Sequence, residues 1–352
     1  MAWKARHPMH ANGRSTSLAL LAVITLFTAT AKAVRITEFT VPTAASEPFG
    51  IALGSDGRLW FTECAGNNIG AMTTSGTFTE FPIPYAGSLS EGIASAPIGR
   101  LYFARTVGGV ASVTINGTFD DTATSGPRSV VAGPDGRVWV TTNSGVYAIE
   151  NLSNSPVFDS FSTPVAPYGI ALGSNGHIWF TELQADKIGW ISPEGGAVHE
   201  IDVAASSYPN FIVGAPNGDV WFTERDANKI GRRHRASGDL VEYDVPTAAS
   251  SVQGIAFGPD GDIWFTEYAT NKIGRVTVGQ SGVTVREYPT AGSPRSIVSG
   301  PDGNLYFTEQ TGNKIGKLEI FVPGDVDGNG VSNVADVFYL INFLFANGPP
   351  PL

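Results

Sequence analysis

The chain has one cysteine, Cys64, among 352 residues, with three methionines and five histidines. No intrachain disulfide can form, so stability must come from burial and from closing the fold on itself. A nucleophilic Cys64 would need a basic neighbour to lower its pKa. The matching positions of the repeats described below hold Leu183, Arg225, Tyr268 and Gln310, which suits an ordinary loop residue. Positive charge is also scarce: 22 Lys and Arg stand against 32 Asp and Glu, a formal charge of −10. That balance argues against nucleic acid as a partner, because phosphate binding wants a basic surface. Long apolar runs are missing too. The run Leu18 to Phe27 is about ten residues where a spanning helix needs roughly 20, so no membrane span is expected in the mature chain.

That run has the flanks of a targeting segment. Lys4, Arg6 and Arg14 precede it, and Ala31-Lys32-Ala33 supplies small residues for cleavage. Residues 1–33 therefore read as a signal peptide, with an uncleaved anchor as the alternative, and the protein as secreted or extracytoplasmic, the cell surface included. The leader holds four Lys and Arg and no acid, leaving 18 basic against 32 acidic residues beyond it, a formal charge of −14.

What is present is repetition. Ile263 to Glu267 reads IWFTE, and close copies stand at Leu59–Glu63, Ile178–Glu182, Val220–Glu224 and Leu305–Glu309, with two worn copies at Leu101–Arg105 and Val138–Thr142. The last residues of the seven are spaced by 42, 37, 40, 42, 43 and 42. This is the period of a four-stranded propeller blade. In residues 254 to 290, Gly254–Phe257 reads as a first strand and Gly258-Pro259-Asp260-Gly261 as a turn. Asp262–Glu267, Asn271–Val278 and Val283–Tyr288 follow as strands. The Trp and Phe of each IWF run fall on opposite faces of the strand, so both faces need cover, which packing blade on blade supplies. The fold class is all-β, a seven-bladed β-propeller over residues 34–322. Arg35–Val41 resembles a fourth strand, and the last blade lacks one, so the N-terminal strand is expected to close the ring and remove exposed edges.

In each repeat the residue before Gly-Ile, or its equivalent, is 14 positions ahead of the last residue of the motif. Counted symmetrically about the turn, the two should face each other at the open end of a hairpin. Seven pairs would then ring one mouth of the channel: Phe49 with Glu63, Glu91 with Arg105, Arg128 with Thr142, Tyr168 with Glu182, Asn210 with Glu224, Gln253 with Glu267, and Arg295 with Glu309. The first members all sit on a near-uniform scaffold yet vary, which is how a repeat fold presents recognition chemistry. Several carboxylates at one mouth would suit a cation or a polar ligand. The plain alternative is cross-strand ion pairs, Glu91 with Arg105 and Arg295 with Glu309, and glutamates that only accept backbone hydrogen bonds.

The WFTE and NKIG pattern, with G-P-D-G or G-S-D-G turns, resembles the streptogramin lyases, the virginiamycin B lyase family, over residues 35 to 320. The resemblance implies a seven-bladed propeller that uses Mg²⁺ and a histidine base to open a cyclic depsipeptide by elimination at its ester. By register it implies a Tyr where Phe49 stands, a His where Gln253 stands, and a Glu-Gly-His triplet at Ser293, Pro294 and Arg295, with a Glu at Glu309. A permanent cation at Arg295 cannot act as a general base near neutral pH. The histidines beyond the leader, His177, His199 and His234, fall outside the ring positions.

After Pro323 the pattern changes. Asp325, Asp327, Asn329, the Val331 carbonyl, Asn333 and Asp336 occupy positions 1, 3, 5, 7, 9 and 12 of a calcium loop, with Gly330 at its turn. Val334–Phe345 reads as a helix following it. Residues 323–352 resemble a single repeat of a type I dockerin, which implies Ca²⁺ and a cohesin-like or cell-surface protein partner. The leading functional reading is a binding module with an unidentified small-molecule, peptide or glycan ligand at the channel mouth and an attachment tail. The rival is a Mg²⁺-dependent carbon–oxygen lyase using Glu309 and Glu267, with Tyr168 in place of the absent histidine.

Overall fold

Every second strand of a repeat is apolar on both faces, and the structure buries both. The five residues of Leu59–Glu63, Ile178–Glu182, Val220–Glu224, Ile263–Glu267 and Leu305–Glu309 are buried throughout. The computed structural model describes residues 34–320 except 86, 88–89, 97–98, 124–125, 151–156 and 280–281, together with 338, 340–342 and 344. Residues 1–33, read above as a signal peptide, and Asp325, Asp327, Asn329, Val331, Asn333 and Asp336, read as calcium ligands, lie outside the described residues.

The described strands form seven four-stranded antiparallel sheets, an all-β seven-bladed propeller. Six sheets run in chain order. The sixth, for example, is Val252–Phe257, Ile263–Glu267, Lys272–Gly279 and Gly282–Pro289. The seventh contains Pro294–Ser299, Leu305–Glu309 and Lys314–Ile320, with Val34–Thr40 as its outer member. The innermost strands touch one another around a cycle that runs from the first blade to the seventh and back to the first. Residues 35–319 form one compact unit. In the other unit, residues 338, 340–342 and 344 are helical. No helix among the described residues is long and apolar enough to cross a membrane.

Three side-chain devices explain the repeated letters. The glycine of NKIG pairs with the phenylalanine of WFTE, as Gly274 does with Phe265 and Gly70 with Phe61. A Cβ on Gly274 would run into the Phe265 ring, so the glycine lets the aromatic lie across the neighbouring strand. The turn aspartate accepts the indole N–H of the same hairpin, from Trp60 to Asp56 at 3.1 Å and from Trp264 to Asp260 at 3.0 Å. The asparagine of NKIG takes a positive φ and then ties down the link between blades. Asn228 accepts Ser250 N–H and Oγ–H, both at 2.8 Å, and donates to the carbonyls of Val245 and Thr247. Asn313 makes the same contacts to Ser46, Val41 and Thr43, joining the seventh blade to the start of the chain.

Candidate functional site at the channel mouth

The seven first members converge. Phe49, Glu91, Asn210, Gln253 and Arg295 lie on innermost strands; Arg128 directly precedes its strand and Tyr168 stands two residues before its own. The Arg295 guanidinium lies 4.2 Å over the Phe49 ring, and its Nη2 reaches the Tyr168 hydroxyl at 3.5 Å, from the seventh blade to the fourth. Asn210 donates to Gln253 Oε1 at 2.5 Å. Glu91 is electrostatically coupled to Arg128 and Arg295; burial raises its carboxyl pKa and the two cations oppose the rise.

The expected facing partners do not join them. Five of the hairpins carry a β-bulge, so that Pro48, Ser90, Pro209, Val252 and Pro294, not the residues after them, pair with Glu63, Arg105, Glu224, Glu267 and Glu309. The bulge breaks the alternation on which counting from the turn depends. It also takes the ring residue off the ladder. Neither expected ion pair forms: Arg105 pairs with Asp121 and stacks on Tyr85, while Glu309 accepts the Gly292 N–H at 3.1 Å. Thr142 donates to the Gly145 carbonyl at 3.0 Å.

What holds the bulge went unread in the sequence: the threonine of WFTE. Thr62 Oγ1 accepts the Gly50 N–H at 2.9 Å and donates to the Glu91 carbonyl of the next blade at 2.8 Å. Thr181 does the same with Gly169 and Asn210, and Thr308 with Ser296 and Phe49. Thr141 and Thr266 donate to the carbonyls of Tyr168 and Arg295. In five blades one hydroxyl therefore fixes the backbone of the next ring residue. The signal was the repeated Thr between an aromatic and a Glu, a small buried polar residue that needs two partners.

A cavity of about 310 Å³ opens at the mouth, lined by Arg128, Tyr168, Asn210, Arg225, Gln253 and Arg295 with Ala166, Leu183 and Gln184. None of the repeated glutamates lines it. Instead Glu63, Glu182, Glu224, Glu267 and Glu309 are fully buried behind it. Burial pushes Glu63, Glu182 and Glu267 up to about 7, and Glu224 up to about 8, aided in each by the outer-strand glutamate nearby, Glu80, Glu200, Glu287 or Glu242. Burial also raises Glu309. The mouth thus carries guanidiniums and amides where carboxylates were expected. A divalent cation wants several anionic or carbonyl oxygens free to turn inward. With Glu91 flanked by Arg128 and Arg295, the donor set does not fit Mg²⁺. Cys64 is no nucleophile either, since burial, with Glu91 and Glu47 nearby, pushes its thiol up to about 11. His177, just before the fourth blade's second strand, and His199, on its outermost strand, both stack on Trp190, at 4.2 and 3.9 Å, away from the ring positions.

Residues 28–122 and 107–320 match the virginiamycin B lyase family. The chain belongs to that family. A virginiamycin B lyase of Nocardia farcinica is 32% identical over 190 residues, 52% of this chain and 66% of that protein. Curated relatives are matched over 15% to 66% of their own length. Among solved structures, a streptogramin B lyase superposes with a TM-score of 0.75 at 29% identity, covering 82% of this chain and 98% of that one. A catalytically inactive virginiamycin B lyase from Staphylococcus aureus, solved with quinupristin, gives 0.75 at 27% identity, covering 82% and 100%. The family relation accounts for the scaffold.

The buried glutamates make stability depend on pH. Glu224 has a folded pKa near 8, far above the ordinary 4.5, so the folded state holds a proton that the unfolded chain has released. Stability therefore falls as pH rises from 4.5 towards 8. Relative to Glu224→Gln, the parent chain should lose up to roughly 1.4 kcal/mol per pH unit across that window and no more above it. Denaturant unfolding of both proteins between pH 5 and 9 checks this, and a constant difference would contradict it.

Proposed function

We propose that this chain is an exported propeller that binds a polar ligand at the mouth of its channel without the elimination chemistry implied by its family. The observation that carries the reading is that no histidine or carboxylate stands among the described residues lining the mouth cavity. Gln253 and Arg295 stand where the resemblance implies histidines, an amide does not accept a proton near neutral pH, and a guanidinium does not release one. Burial raises the Tyr168 phenol, which removes it as a base as well. The repeated scaffold with varied side chains at one rim supports a recognition role.

One observation favours a second reading, a lyase acting on a cyclic depsipeptide. Glu267 sits at about 7, the range of a general base, and Glu309 keeps the position implied for a family carboxylate. Incubating the purified protein with a streptogramin B and Mg²⁺, and following the intact ring by mass spectrometry, separates the two. The binding reading predicts no ring-opened product. Product that disappears in Glu267→Gln would establish the lyase.

The ends of the chain have their own roles in the proposal. The leader directs export, the strand Val34–Thr40 closes the ring in place of a missing fourth strand, and the loop Asp325 to Asp336 binds Ca²⁺ and presents a helix to a cohesin-like or cell-surface protein. Closure is supported by the Lys314–Glu38 ion pair at 2.5 Å and the Val41 N–H bond to the Asn313 carbonyl at 3.0 Å. Two shortened proteins test these ends. One lacking residues 34–41 should melt at a markedly lower temperature, and one ending at residue 322 should give no heat on calorimetric titration with Ca²⁺. An unchanged melting temperature, or persisting calcium heat, would contradict the respective assignment.

A further inference from the structure

The mouth cavity has a sign opposite to the chain's. The protein has a formal charge of −10, yet the cavity is lined by three guanidiniums and no carboxylate. Arg225 is neutralised locally by Asp226 at 2.8 Å. Arg128 and Arg295 have no ion-pair partner among the described residues. Arg128 donates to Asn143 Oδ1 at 3.2 Å, and Arg295 has the Tyr168 hydroxyl at 3.5 Å, the outer limit of a hydrogen bond. Arg295 Nε is buried with no partner. The carboxylate that faces both cations, Glu91, lies outside the cavity lining, and its Oε1 accepts from Thr106 at 3.4 Å.

Both arginines lie over aromatic rings. Arg295 lies 4.2 Å over Phe49 and 5.5 Å from the Tyr268 ring, and Arg128 lies 5.8 Å over Tyr168. Stacking of this kind leaves the in-plane N–H groups free to donate and fixes their direction before a ligand arrives. A planar fork with unused donors matches a carboxylate, which it binds through two parallel charge-assisted hydrogen bonds. Beside the cations, Asn210 is only 2% exposed, donates its amide N–H to Gln253, and leaves Oδ1 without a partner. An orphaned acceptor on a buried lining residue asks for a donor from the ligand.

We infer that the channel mouth is a receptor for a small organic carboxylate, its anionic head against Arg295 and Arg128 and a hydroxyl or N–H of its body against Asn210. This inference rests on the binding reading above and names its ligand class. The cavity is at the lower end of the size of small-molecule sites, which run from roughly 300 Å³ upwards, and so suits a sugar acid or a dipeptide. A sugar acid and a free peptide carboxyl end share the required chemistry.

Matched pairs of probes test it by calorimetric titration of the full chain. D-galacturonate is compared with D-galactose, and glycylglycine with glycinamide-capped glycine, with inorganic phosphate as a plain anion. The expected result is that the acid of at least one pair binds at least tenfold more tightly than its neutral partner and than phosphate. The pair that discriminates identifies the source of the carboxylate. Arg295→Gln should abolish that preference while the protein stays folded, with a melting temperature no more than a few degrees below the parent's. Equal binding of acid and neutral partner would overturn the carboxylate assignment and leave the binding reading intact. Phosphate binding as tightly as the acids would overturn it as unselective anion attraction. No binding by any probe would overturn it too, and ring-opening of a streptogramin B would remove the reading beneath it.

Discussion

A buried threonine hydroxyl, met once in nearly every blade, is the contact on which the geometry of the mouth depends. In the first, fourth and seventh blades it accepts a backbone N–H from the innermost segment of its own blade and gives its proton to the carbonyl of the next blade's ring residue. These hydroxyls are fully buried, as are those of Thr141, Thr223 and Thr266, so losing one strands backbone groups that water cannot reach. The second blade has Ala104 in that place, and there the Gly92 N–H bonds directly to the Arg128 carbonyl at 3.2 Å. Between the seventh blade and the first, Thr308 reaches the carbonyl of Phe49 at 2.7 Å, so the same bond also links the last blade to the first.

Because the ring residues are positioned through their backbone, their side chains are free to differ. The mouth holds a phenylalanine, a glutamate, a tyrosine, two amides and two arginines on one repeated frame. A family relation at 27 to 32% identity therefore coexists with a mouth whose charge and proton chemistry are unlike those the family resemblance implies. The buried glutamates belong to the frame. With pKa values pushed up to about 7 to 8 by burial, Glu63, Glu182, Glu224 and Glu267 hold their protons in the folded state below neutral pH.

Much of this frame was legible in the sequence. The interval between WFTE copies named the blade, and the Gly-x-Asp-Gly turns and two-faced apolar strands named its hairpins. The ring positions were legible because a variable residue preceded each near-uniform apolar strand. The partner assignments were not. Counting 14 residues from Phe49 to Glu63 assumes an unbroken ladder, and a bulge of one residue turns every subsequent side chain to the other face. Periodicity alone does not mark a bulge; the threonine that holds it would have, had its two unmet hydrogen bonds been followed. The cationic character of the cavity was hidden for a related reason. Arg225 reaches the mouth from beyond its own WFTE strand, and the five glutamates that outweighed the arginines on paper turn away from the cavity.

The claim at the centre of this account is that the frame is held by the threonine bonds and is indifferent to the ring side chains. Denaturant unfolding of Thr308→Val and Arg295→Gln beside the parent chain tests it most directly. Thr308→Val removes both partners of the Ser296 N–H and the Phe49 carbonyl, at about 1–3 kcal/mol for each group left unsatisfied. Arg295→Gln removes stacking on aromatic rings, a hydrogen bond to Tyr168 at 3.5 Å and a cation facing Glu91, together about 1 kcal/mol or less. The account predicts a clearly larger loss for Thr308→Val; equal losses, or a larger one for Arg295→Gln, would contradict it.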